Sequence, residues 1–201
     1  MGFAKDHLIA AMLLVCAAVP AAADISTHSF ANCGFPDAGQ AVCYNATVQS
    51  ACPVAGFPGQ DAEYASSAAM LRYTIYVPVA GSSVTVDDLT GLIWASTGSS
   101  NGALVTWANA ISSCENSTFG GYSDWRLPNI KELQSIVNYG TAGAPRITAA
   151  AFPSTASSAY WSSTICSDLT SDAFDVNFNL GEVYHAAVGT TAYVRCVRGG
   201  P

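Results

Sequence analysis

Four acids crowd the stretch from 168 to 182: Asp168, Asp172, Asp175 and Glu182. Carboxylates this close in sequence could ligate a hard cation such as calcium, which gathers roughly six to eight oxygen ligands. The run Asp175-Val176-Asn177-Phe178-Asn179-Leu180-Gly181 opens as an EF-hand loop does, but glycine falls at the seventh position and Ala186 at the twelfth, where a bidentate Glu belongs. Alternation of Val176 with Phe178 suits a strand instead. A looser calcium site built from the four acids is one expectation, and solvated loop acids are the other. No other cofactor is expected. Catalysis is thinly supplied: past residue 23 the histidines are His28 and His185, and no G-x-S-x-G elbow is present, so a hydrolase would need an unusual arrangement.

Asp175, Asn177, Asn179, Glu182 and Tyr184 set hydrogen-bonding groups beside an aromatic ring, a mixture that suits a sugar or a protein surface. The competing reading is an ordinary solvated hairpin face. Register matters here. A two-residue turn at Leu180-Gly181 sets Tyr184 with Asn177 on the outer face, whereas a bulged three-residue turn shifts the pairing by one and exposes His185. Trp94, Trp107, Trp125 and Trp161 read as core, but Trp161 introduces the loop-rich C-terminal third and is the one that could serve as a ligand platform.

The cysteines bear on where the chain works. Residues 1–23 read as a cleavable signal peptide: Lys5 and the amino terminus are positive, Leu8 to Val19 is apolar, and Ala21-Ala22-Ala23 suits a signal peptidase. The apolar run of about 16 residues falls short of the ~20 that cross a bilayer, so no membrane insertion is expected after cleavage. A lipoprotein reading of Cys16 is opposed by Val15, where a small residue is wanted. Without Cys16 there remain Cys33, Cys43, Cys52, Cys114, Cys166 and Cys196, an even set that favours three disulfides in an oxidising compartment. Buried thiols with one or two bridges are the alternative. Cys43 and Cys52 stand close enough to close a short loop, and the absence of any C-x2-C pair argues against zinc.

About 178 residues would follow cleavage, enough for one sizeable core. Half of the full chain is apolar, a tenth is charged, and the formal charge is −7. Nucleic acid and other polyanions are disfavoured as partners unless Arg72, Arg126, Lys131, Arg146, Arg195 and Arg198 cluster in space.

Certain elements must position these groups. Residues 24–70 carry three cysteines among Gly, Pro, Ala and Ser and read as an irregular, crosslinked N-terminal lobe. The regular part, 71–201, begins with Tyr73 to Val77, then Ser83 to Val86, a turn at Asp87 to Gly91, and Leu92 to Trp94, which reads as a hairpin. Trp107, Ala110, Ile111 and Cys114 recur at helical spacing, so a helix is expected over 105–116 with Thr106 as its N-cap. Asn129 and Glu132 have the spacing of a capping box, and a second helix should run from 130 to about 138. Residues 140–159 read as a long loop, followed by strands at 160–164, 173–178, 182–185 and 193–198.

Five ordered blocks carry a resemblance: TVDDLTGLIW (85–94), TWANAISSC (106–114), GGYSDWRLPNIKEL (120–133), YWSST (160–164) and YVRCVRG (193–199). Together they resemble the Lcl C-terminal domain family, named for the C-terminal domain of a bacterial collagen-like adhesin. DAGQAVCYN (37–45), Cys52-Pro53 and GQDAEY (59–64) are similar to the segment that often precedes that domain. The resemblance implies an α+β, C-type-lectin-like fold related to formylglycine-generating enzymes: two helices packed around a small, mostly antiparallel sheet, loop-rich and disulfide-stapled. It also implies a bridge from the first helix to the last strand, which Cys114 and Cys196 match. Cys43–Cys52 would follow, leaving Cys33 with Cys166.

The family resemblance implies a secreted, periplasmic or cell-surface bacterial protein that binds without catalysis, in the manner of an adhesin. The expected partner is a glycan or a surface protein. The alternative is an envelope or appendage protein that self-assembles as a homo-oligomer, and a hydrolase comes third. The named adhesin is associated with anionic glycosaminoglycans, a ligand the −7 charge argues against here.

Overall fold

In the computed structural model, residues 38–46, 48–64, 73–97 and 102–199 are described. Residues 1–23, expected to form a signal peptide, lie outside the described residues, as do His28, Cys33 and Arg72. The chain runs through β1 (Cys43–Tyr44), β2 (Gln49–Ser50), α1 (Asp61–Tyr64), β3 (Tyr73–Val79), β4 (Ser82–Asp87) and β5 (Ile93–Ala95). It continues through α2 (Trp107–Glu115), a 3-10 turn at Phe119–Gly121, α3 (Ile130–Ser135), β6 (Ala159–Ile165), β7 (Asp172–Asn177), β8 (Glu182–Ala187) and β9 (Val197–Arg198). Three antiparallel sheets result, with orders β1-β2, β3-β4-β5-β9 and β6-β7-β8. The architecture is the expected loop-rich, disulfide-stapled α+β domain, with its strands divided among several small sheets.

Successive strand residues face opposite sides, and here both sides are buried. Val84, Val86, Ile93, Ala95, Trp161 and Ala173 join Ala110 and Cys114 of α2 in one cluster. Trp94, Val197, Tyr160, Val176 and Phe178 join Leu133 of α3 in the other. The two larger sheets thus each lend residues to both clusters. That explains why so small a share of charged residues suffices.

Local chemistry sets the element ends. The β4–β5 connection is closed by Asp87, whose Oδ1 accepts from the Leu89 N–H at 2.9 Å and whose Oδ2 accepts from Thr90 Oγ1 at 2.8 Å. The capping box of α3 is complete: Asn129 Oδ1 accepts from the Glu132 N–H at 2.9 Å, and Glu132 Oε2 accepts from the Asn129 N–H at 2.8 Å. The helix stops at Ser135 rather than about 138, yet Ile136 and Val137 are still buried. Thr106 sits at the N-cap of α2 in extended backbone, but its hydroxyl caps nothing, contrary to expectation.

Arg126 and Glu132 form a bidentate pair with both N–O distances at 2.7 Å. Asp124 instead accepts two bonds from Arg198, at 2.7 and 3.0 Å. Hydrogen bonding to Arg198 holds the Asp124 carboxyl below its usual pKa. Trp125 and Leu127 between them are core residues.

Cys114 is bonded to Cys196, and Cys43 to Cys52. Cys166 is a free thiol among the described residues, and its expected partner Cys33 lies outside them.

Candidate functional site

A cleft of 540 Å³ opens between the N-terminal lobe and the loop after α3. Gln40, Tyr44 and Gln49 line one wall, Tyr139, Thr141 and Arg146 the other, and Leu180 closes one end from the tip of the β7–β8 hairpin. Each wall has an identifiable support. In the lobe, Cys43–Cys52 closes a short loop, and the Gln60 side chain clamps the backbone of Tyr44. Its Oε1 accepts from the Tyr44 N–H and its Nε2 donates to the Tyr44 carbonyl, both at 2.7 Å.

The second wall is tied to the first. The Tyr139 N–H donates to the Ala38 carbonyl at 2.8 Å, and Asn138 Oδ1 accepts from the Gly140 N–H at 2.9 Å. A side chain at Gly140 would meet the Gly39 carbonyl at 1.8 Å, so only glycine lets the two segments approach. Tyr139 Oη donates to the Gly181 carbonyl at 2.6 Å, which fixes the hairpin tip. Tyr44 and Tyr139 remain 46% and 39% exposed, the first with its backbone clamped by Gln60 and the second with its hydroxyl tied to Gly181.

None of the six residues singled out from the sequence lines this cleft; their chain neighbour Leu180 does. Trp161 is 1% exposed and donates from Nε1 to the Val105 carbonyl at 2.9 Å, so it is a core residue rather than an open platform. Four residues, not two or three, connect β7 to β8. Asn177 therefore pairs with Glu182, and Asp175 with Tyr184. These four share one face, as the alternation required, with the pairing moved by two. Asn177 Oδ1 is taken up by the Asn179 N–H inside the turn, and Tyr184 Oη donates to Glu182. That bond raises the Tyr184 pKa.

The four acids do not converge. Among the described residues no group of three His, Cys, Asp or Glu side chains could hold a metal ion. Asp172 is bonded to His185 Nδ1 at 2.9 Å, which lowers the carboxyl pKa, while Asp168 is exposed beside Ser167. Of the basic residues, Arg195 is buried, Arg126 and Arg198 are paired with acids and Arg146 lines the cleft, while Arg72 lies outside the described residues.

Asp175 is 4% exposed, and no hydrogen bond reaches its carboxyl among the described residues. Desolvation raises its pKa, and the His185 charge lowers it less. A carboxyl raised in the folded state favours folding only while protonated. Stability should therefore fall as pH rises from about 3.9, the ordinary Asp value, through the raised folded value. Asp175→Asn is expected to raise the thermal midpoint at about pH 7 and to leave it unchanged at about pH 3. Equal midpoints at both pH values would show that the carboxylate is compensated.

The model of the Lcl C-terminal domain matches residues 83–198, more than half of the chain. The chain belongs to the Lcl C-terminal domain family. No curated protein matches it. The Lcl C-terminal domain span starts inside β4 and contains the second wall and the hairpin tip, whereas Gln40, Tyr44 and Gln49 come from outside it. Family membership fits a surface-related, adhesin-like module, and two disulfides fit a compartment outside the cytoplasm. Among the described residues no helix is long and apolar enough to cross a membrane.

The sequence held one signal for the cleft that pattern reading passed over. Tyr44 and Tyr139 are aromatic residues in segments otherwise rich in small and polar ones. Rings in such segments have little core to enter.

Proposed function

We propose that this protein is a secreted or surface-displayed, non-catalytic module that binds a glycan in the cleft between Tyr44 and Tyr139. The cleft carries this reading. Two half-exposed rings supply apolar faces for a sugar, while Gln40 and Gln49 supply amides that both donate and accept, and Thr141, whose hydroxyl donates to the Asn138 carbonyl, supplies an acceptor. Membership of the Lcl C-terminal domain family, which suggests a surface-related, adhesin-like module, supports it. A protein ligand would use the same groups less economically, because the cleft is concave and narrow rather than broad.

Saturable binding to members of a glycan array is expected. Tyr44→Ala should weaken it roughly tenfold, because a central aromatic contact carries more than about 1 kcal/mol. Tyr44 makes its described hydrogen bonds through the backbone, so folding should be spared. A flat array at high protein concentration would contradict the proposal.

A second reading, self-assembly in the envelope or an appendage, has one observation in its favour. Ile75, Val77 and Val79 are 46%, 63% and 48% exposed on β3, an outer strand that carries no charge. Light scattering after size-exclusion chromatography separates the two: a monomer that binds glycan supports the first, and large ordered assemblies lost in Val77→Lys support the second.

A further inference from the structure

We infer that the cleft recognises its saccharide through a single carboxylate held by Arg146, as in a sugar acid at the end of a chain. The inference rests on the cleft being the saccharide site. Among the described residues lining it, Arg146 is the charged one and none is an acid. Its backbone is pinned on both sides: its N–H donates to the Phe178 carbonyl at 2.6 Å, and its carbonyl accepts from the Asn138 N–H at 3.0 Å. Its Nη1 donates to the Thr141 carbonyl, which orients the guanidinium without neutralising it. No carboxylate pairs with it among the described residues, whereas Glu132 and Asp124 neutralise Arg126 and Arg198.

A guanidinium with its stem fixed and part of its N–H set uncommitted matches a carboxylate, which it can grip through two parallel hydrogen bonds. The rest of the cleft selects what carries that carboxylate. Tyr44 and Tyr139 offer ring faces, and Gln40 and Gln49 offer paired donors and acceptors suited to vicinal hydroxyls, so a sugar acid fits better than a peptide terminus. One cation calls for one anionic group. A polyanion would meet a chain of charge −7 whose other described cations do not line the cleft.

Calorimetric titration of the intact protein with two trisaccharides, one ending in glucuronate and the other in glucose at the same position, tests this. The glucuronate form should bind about tenfold more tightly, because a charge-assisted hydrogen bond is stronger than a neutral one. Arg146→Gln should bring the two within about twofold, and Tyr44→Ala should weaken both alike. If circular dichroism shows Arg146→Gln misfolded, Arg146→Met serves in its place; it keeps an unbranched stem, loses the charge and should lose the preference likewise. Equal affinities for the two sugars, or a preference that survives in the Arg146 variant, would overturn the carboxylate inference and leave the saccharide reading standing. No binding of either sugar would overturn both. Tighter binding of a tetrapeptide with a free C-terminus would make a peptide end the ligand and overturn the sugar acid.

Discussion

Replacing Cys114 and Cys196 together with alanine is expected to lower the unfolding free energy by about 4.5 kcal/mol. The bond spans 82 residues, and both cysteines are fully buried. Cutting it restores to the unfolded chain the freedom of a long loop, and it removes the covalent link between α2 and the segment entering β9. The Cys43–Cys52 bond spans 9 residues and by the same reasoning contributes about 2.5 kcal/mol. Its loss should act on the cleft wall more than on the core. Urea unfolding followed by tryptophan fluorescence measures both, since Trp94 and Trp161 are buried. A loss below about 1 kcal/mol for Cys114/Cys196 would mean that the reduced chain keeps those segments together without the bond.

Arg195→Ala should cost about 3 kcal/mol or more. Arg195 is fully buried and has no carboxylate partner among the described residues. Its Nη1 donates to the carbonyls of Ala95 and Ser96 at 2.7 and 2.5 Å, and Nη2 donates to Thr155 Oγ1 at 2.8 Å. The guanidinium also lies 5.0 Å from the ring centre of Phe152 and 5.9 Å from that of Tyr160. Desolvation pushes its pKa down to about 10, so it stays charged at neutral pH. Truncation removes this packing and leaves two buried carbonyls without their donor, which outweighs the relief of losing a desolvated charge. Arg195→Lys should also destabilise, because one ammonium cannot reach all three acceptors in the guanidinium's geometry. A neutral outcome for Arg195→Ala would indicate that water replaces the guanidinium.

Much of this arrangement was legible in the sequence where local chemistry decides it. Asn129 and Glu132 announce the start of α3, the Asp87-to-Gly91 turn announces the β4–β5 hairpin, and the spacing of Trp107, Ala110, Ile111 and Cys114 announces the buried face of α2. The pairing of Cys114 with Cys196 followed from resemblance rather than from spacing. Arg195 shows the limit of such reading. Its neighbours Val194 and Cys196 mark a strand, yet the acceptors that make its burial tolerable come from Ala95, Ser96 and Thr155, distant in sequence.

The candidate site was less legible for the same reason. The hairpin of β7 and β8 has the polar and aromatic residues of a binding face, but its Asp175 and the neighbouring Trp161 of β6 are buried, while Asn177 and Glu182 are occupied by local hydrogen bonds. The cleft depends on two segments about a hundred residues apart in sequence, brought together by the Tyr139-to-Ala38 hydrogen bond and the Gly39–Gly140 approach. No periodicity records such a meeting.

The claim that a glycan occupies the Tyr44–Tyr139 cleft is tested most directly by amide chemical-shift mapping of the isotope-labelled protein with the glucuronate-ended trisaccharide. The account predicts saturable shifts concentrated at Tyr44, Gln49, residues 139–142, Arg146 and Leu180, with β3 unmoved. Saturable shifts confined to the outer face of β8 around Glu182 and Tyr184, or no shifts at all, would contradict it.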